Sequence, residues 1–328
     1  MERGTRAIRI RDQADADVSG TRRLDRSQLD GRQHFMRSDR KHSAPHRLPV
    51  MTILTLAAVV GLGSFGAGLL GALTGLGGGI VVVPLLTVLL HVDFRYAIGA
   101  SLVSVIATSS GAAAAYVREG YTNIRVGIFL EVATTVGALV GAAIAGLIPT
   151  SALGILFGLM LLYSAYRMFR SNDDHPPSTA PDPLATRLRL NSSYPTASGM
   201  QPYAVEGVLP GFGLMFVAGI LSALLGIGSG VVKVLAMDRT MKLPFKVSTT
   251  TSNFMIGVTA AASAGVYLHR GYIQPVVALP VMIGVLTGAL VGARLLTTAS
   301  TRWLRILFTA VVVVLAGEML YKGASGAL

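Results

Sequence analysis

GLLGALTGLGGGIVVVP, residues 68–84, and GILSALLGIGSGVVKVL, residues 219–235, are the same stretch written twice. The offset of 151 residues holds without a gap through AYVREGY (115–121) against VYLHRGY (266–272), and through GALVGA (137–142) against GALVGA (288–293). From Gly68 to Ile144, 23 of 77 positions match their counterparts. Each copy is apolar and is interrupted by a glycine cluster. Duplicated apolar segments broken by glycine at matching positions are the sequence mark of a secondary transporter, with its substrate near the breaks.

The composition supports the class. Hydrophobic residues make up 52% of the chain, charged residues 13%, and mean hydropathy is +0.60. A soluble domain carries about a quarter charged residues. Several apolar runs reach the roughly 18 residues that suggest a membrane-spanning helix. The chain has no cysteine, which excludes disulfides and thiol chemistry, and its 6 histidines form no metal-binding pattern. Nothing resembles a nucleotide-binding loop, a nucleophile–base pair or a cofactor motif. The expectation is therefore no enzyme, no metal and no cofactor.

The net charge of +12 divides between a polar tail and the rest. Residues 1–48 hold 12 Arg/Lys and 7 Asp/Glu, the signature of a disordered basic tail on the cytoplasmic side rather than of nucleic-acid binding. Deleting residues 2–40 is expected to leave insertion intact. Residues 49–169 form a first membrane repeat, 170–207 a polar linker rich in Pro, Ser, Thr and Asp that reads as a loop, and 208–322 a second repeat.

The fold expected is an all-α polytopic membrane protein of two homologous halves. Each half has about four transmembrane helices and a glycine-broken or re-entrant segment. The piece after the first break, 80–90, is too short to span about 30 Å as a straight helix. If the short pieces do not cross, each half crosses four times and the halves are parallel, which is the arrangement preferred here. If they cross, each half has five passes and the halves are inverted.

The breaks supply the first candidate substrate-binding residues: Gly77, Gly78 and Gly79, with Gly228, Ser229 and Gly230. Glycine frees the backbone from helical geometry, and the polar groups released survive in a membrane only against protein or a water-filled cavity. The alternative is close helix crossing through small residues. Lys233 lies three residues beyond Gly230, where the first copy has Val82. It is either an anion-binding lysine or one that snorkels to the headgroups. Glu131, whose counterpart is Met282, could pair with Lys233, carry a coupling proton, or bond to backbone near a helix end. Small polar residues gather in each third segment, with Ser101 matching Ser252 and Thr108 matching Thr259; Ser101, Ser252 and Asn253 join the candidates.

The second copy runs on as SGVVKVLAMDRTMKLPFKVSTTTSNFMIGVTAAASAGVYLHRGYIQP, residues 229–275. With GLGGGIVVVPLL (75–86) and FLEVATTVGALVGA (129–142), it resembles the sulfite exporter TauE/SafE family, and TSNFMIGVTAA (251–261) is the most specific block. The likeness covers about Leu62 to Leu320. It implies a bacterial or archaeal permease of two related halves, moving sulfite or small organosulfur anions. Leu235 stands where this branch of the family has proline, whereas the first copy keeps Pro84, which leaves open whether the second short segment bends as the first does.

The function expected is thus a secondary permease for a small anion such as sulfite or a sulfonate, in the inner (plasma) membrane with the N-terminus in the cytoplasm. The alternative is a channel or a non-transporting membrane scaffold. The partners expected are the lipid bilayer, a small anion and protons, with no nucleic acid; a homo-oligomer stays open.

Overall fold

The computed structural model describes residues 53–74, 78–118, 120–170, 182–196, 199–296 and 301–328. The basic tail and Gly77 lie outside the described residues. Helix α1 (Ile53–Thr74) leads to the first break and the short α2 (Gly79–Pro84), followed by a turn of π-helix, Leu85–Leu89. Then come α3 (Phe94–Arg118), α4 (Ile124–Ile144) and α5 (Thr150–Arg170). A short α6 (Pro183–Arg187) and a hairpin of β1 (Ser192–Thr196) and β2 (Gly199–Tyr203) precede α7 (Val208–Leu225). After the second break come α8 (Gly230–Leu235), a π turn Ala236–Thr240, α9 (Phe245–His269), α10 (Pro275–Leu296) and α11 (Thr301–Ser325).

The bounds of α2, its π turn and α3 recur at the sequence offset in α8, its π turn and α9. The missing proline therefore does not alter the second short segment: Leu235 ends α8 where Pro84 ends α2, and both run into a π turn.

Two glycine seams hold the long helices together. On α4, a Cβ at Gly137 or Gly141 would collide with the carbonyls of Phe216 and Ile220 on α7. On α10, a Cβ at Gly284 or Gly288 would collide with those of Gly61 and Phe65 on α1. Both GALVGA copies thus serve backbone-to-backbone packing, the means by which helices associate where lipid supplies no hydrophobic drive. The first helix of each copy packs on the fourth helix of the other.

The outward faces are apolar. Ile128, Val132, Val136, Leu139 and Val140 form an exposed stripe along α4, and Leu279, Ile283, Leu290 and Val291 repeat it on α10. Among the described residues, three helices are long and apolar enough to cross a membrane: Ile124–Ile144, Val208–Leu225 and Pro275–Gly292. Helices α3 and α9 have 25 residues each, about 37 Å of helix, and carry most of the buried hydroxyls.

The short segments return the chain to the end it left. The backbone N–H of Glu206, just before α7, donates to Met241 O just after the turn that follows α8, at 3.1 Å. Equivalent helices consequently run in opposite directions: along α3, Gly99 meets Tyr272 while Ser109 meets Gly257 of α9. This differs from the parallel four-crossing arrangement preferred from the sequence. Eleven residues suffice for a returning piece because α8 starts inside the bundle, where Gly230 lies against Ile256 and Ser252.

Part of the linker is folded where a loop is expected. Asp182 caps α6 by accepting from Leu184 N (2.8 Å) and also accepts from Val208 N (3.1 Å), tying α6 to the start of α7. Asn123, the cap of α4, donates to Leu190 O (2.9 Å) and Tyr203 Oη (2.8 Å). Ala185, Leu190, Tyr203 and Val205 share a core with Val126, Met241 and Val247. Burial pushes the Tyr203 phenol above its ordinary value, although the bond to Asn123 pulls the other way. The folded piece covers the starts of α4, α7 and α9, called the cap end below.

Candidate functional site

The two breaks meet on α3. Ser101 Oγ lies 2.7 Å from Gly226 O and 3.4 Å from Gly79 O. A hydroxyl has one proton, so it donates to the nearer carbonyl, which belongs to the second break. Ser252 takes the equivalent place on α9, 3.3 Å from Gly230 O. Gly226 O, a carbonyl left free at the end of α7, is thereby satisfied by Ser101, while Ser252 rests on the carbonyl of the first residue of α8.

The space between is tight. A Cβ on Gly79 would stand 2.7 Å from Val105 Cγ2 and 3.2 Å from Gly226 O; one on Gly228 would stand 2.8 Å from Ile256 Cγ2. One on Gly78 would meet Val285 Cγ1 at 2.5 Å. The breaks are not conformational copies. Gly226 and Gly228 have φ of +67° and +68°, and Ser229 is left-handed at +46°, whereas Gly78 has φ of −65°. Ser229 Oγ is buried without a hydrogen-bond partner.

Lys233 is fully buried and does not snorkel. Its Nζ donates to Thr259 Oγ1 at 2.5 Å, and Thr259 Oγ1 donates to Glu131 Oε1 at 2.7 Å. Thr135 Oγ1 also donates to Glu131 Oε1, at 3.1 Å. One hydroxyl therefore bridges a buried ammonium and a buried carboxylate contributed by α8, α9 and α4. An isolated charge in this setting costs several kcal/mol, and opposite charges linked by hydrogen bonds offset much of that. Glu131 Oε2 is buried and unpartnered. The ammonium has three N–H donors, of which Thr259 accepts one.

Of the residues singled out in the sequence, Gly79, Ser101, Gly230 and Ser252 come together at the breaks, with Gly228 packed against α9. Lys233 and Glu131 join through Thr259, which the sequence places among the polar residues of α9 but not among the candidates. The signal was present: Thr259 lies seven residues beyond Ser252, two turns along the same face, and repeats Thr108. Asn253 is half-buried and is not among the residues bridging the breaks.

The sulfite exporter TauE/SafE family profile matches residues 51–319. The chain belongs to this family. Its members are membrane transporters rather than enzymes, and the apolar helices mark this chain as an integral membrane protein. Among curated proteins, it is similar to the probable membrane transporter protein YunE of Bacillus subtilis (strain 168), 25% identical over 264 residues, which covers 78% of this chain and 94% of that protein. The probable membrane transporter protein YdhB of the same strain is 28% identical over 225 residues, covering 67% and 82% respectively. A probable membrane transporter protein of Xylella fastidiosa (strain 9a5c) is 26% identical over 275 residues, covering 83% and 97%. No solved structure matches the chain.

Proposed function

We propose that the protein is a secondary carrier of small sulfur oxyanions, sulfite or organic sulfonates, built from two inverted repeats in the inner membrane. The observation that carries this reading is Lys233: a fully enclosed cation at the second break, with N–H donors beyond the one Thr259 accepts. The sulfur chemistry comes from the family. Enclosure of the ammonium supports a carrier that occludes its substrate over an open channel.

Proteoliposomes holding the purified protein should take up sulfite, thiosulfate, taurine or sulfoacetate, and Lys233→Met should abolish binding of the transported anion. Unchanged affinity in a folded Lys233→Met protein would remove the anion site from this position.

Sidedness follows from the basic residues. The cap end gathers Arg125, Arg187, Arg189, Arg239, Lys242 and Lys246, against Arg95, Arg270 and Lys322 at the opposite end. The positive-inside rule therefore favours a cytoplasmic cap end. The tail alone favours a cytoplasmic N-terminus, yet α1 starts at the opposite end, so the short loops and the tail compete. We take the loops as decisive. The chain has no cysteine, so thiol labelling of Lys242→Cys in intact cells and in inverted vesicles decides the matter. Labelling from outside intact cells would reverse the orientation.

A further inference from the structure

We propose that Glu131 is a proton site coupled to the anion site at Lys233, so that a proton travels with each anion. This rests on the carrier reading and adds its coupling ion. The starting point is Glu131 Oε2: the residue is 8% exposed, and this oxygen has no hydrogen-bond partner, while Oε1 accepts from both Thr259 and Thr135. A buried carboxylate oxygen left unpaired is costly, and a proton placed on it removes both the charge and the cost.

Electroneutrality links this oxygen to the substrate. In the conformation described, one positive and one negative charge share the site through Thr259. A monoanion drawn to Lys233 leaves the buried group with a net negative charge. Taking up one proton at Glu131 restores neutrality, so anion and proton each favour the other's binding. The only bond formed is O–H on the carboxylate; the proton comes from the aqueous side that the site faces and leaves to the other. The hydroxyl of Thr259 has somewhere to turn when Glu131 becomes a donor: Met255 O lies 3.1 Å away and Thr134 Oγ1 3.4 Å.

The groups packed around Glu131 leave Lys233 as its electrostatic partner among the described residues. Helix α7 carries no titratable side chain. On α9, Lys246 and His269 sit near the ends and are exposed, and Tyr267 donates to Ala223 O. On α4 itself Arg125 is exposed and bonded to Arg189 O. Asp182, Arg187, Arg189, Tyr194 and Tyr203 of the folded linker belong to the cap end, where Asn123 starts α4, and Asp238 and Arg239 lie beside each other in the π turn after α8.

Methanesulfonate is a useful probe because its charge stays fixed across the working range. Its affinity for the purified full-length protein should rise about ten-fold for each unit of falling pH, the slope for uptake of one proton. Glu131→Gln should bind it with a pH-independent affinity near that of the wild type in acid. In proteoliposomes, methanesulfonate entry should acidify the lumen with the wild type, and Glu131→Gln should lose that acidification. A flat pH profile in the wild type, or a slope that survives in Glu131→Gln, overturns the proton site while leaving the carrier intact. Failure of sulfite and methanesulfonate to bind at any pH sinks the carrier reading, and the proton site with it.

Discussion

The two breaks have the same length and the same π turn behind them, but only one carries charge. The positions of Lys233, Thr259 and Glu131 correspond to Val82, Thr108 and Met282. Thr259 bridges Lys233 and Glu131, whereas Thr108 donates back to Ser104 O of its own helix, at 3.0 Å. The second break uses three residues with positive φ, Gly226, Gly228 and Ser229; Gly78 in the first stays right-handed. A duplicated scaffold thus keeps its packing in both copies, while the bridge between a buried lysine and a buried glutamate forms only around the second break.

The sharpest way to break this comparison is to make the second copy resemble the first. Lys233→Met removes the cation that compensates Glu131, and should cost up to about 3–5 kcal/mol of stability at alkaline pH and less in acid, where Glu131 takes up a proton. The double change Lys233→Met with Glu131→Gln should recover most of that in thermal melts in detergent, while anion binding stays lost. Equal stability of single and double variants would show that the two charges do not interact.

The seams should respond alike in both copies. Gly137→Ala and Gly288→Ala each drive a methyl group into a facing carbonyl and should each cost about 1–3 kcal/mol. Gly78→Leu would press on Val285 and should abolish flux. A large loss at only one of the two seam positions would mean that the copies do not share this packing.

Ser101→Ala should cost about 1 kcal/mol, since it orphans Gly226 O, and Ser252→Ala less, since its bond to Gly230 O is longer. Melts of the two variants test that order. The smallest effect is expected at Ser229. Ser229→Gly relieves a left-handed serine whose hydroxyl has no partner and should raise stability by about 1 kcal/mol at most. Destabilisation would show that this hydroxyl has a role the first copy lacks.

Much of this was legible in the sequence. The offset of 151 located both breaks, and the pairing of Ser101 with Ser252 located the hydroxyls that serve them. Lys233 stood out because an ammonium amid valines at membrane depth needs a reason. Three things were not legible. The direction of the short segments depends on how deep in the bundle α8 begins, and length alone does not give that. The folded linker is stapled by Asp182 and Asn123, whose partners are backbone groups far off in sequence. Thr259 reads as one hydroxyl among many until α4 brings Glu131 beside it; its role is set by a neighbour 128 positions away.

The crossed pairing of first and fourth helices also has a consequence for biogenesis. Gly61 of α1 emerges from the ribosome more than 200 residues before Gly284 of α10, its partner in the seam. At about 5–20 residues per second, that interval is on the order of 10–40 s. Throughout it, α1 sits in the bilayer with its glycine face turned to lipid or to the insertion machinery. The bundle therefore does not assemble in the order in which it is made, and a chain that stops after the first repeat leaves α1 without its seam partner.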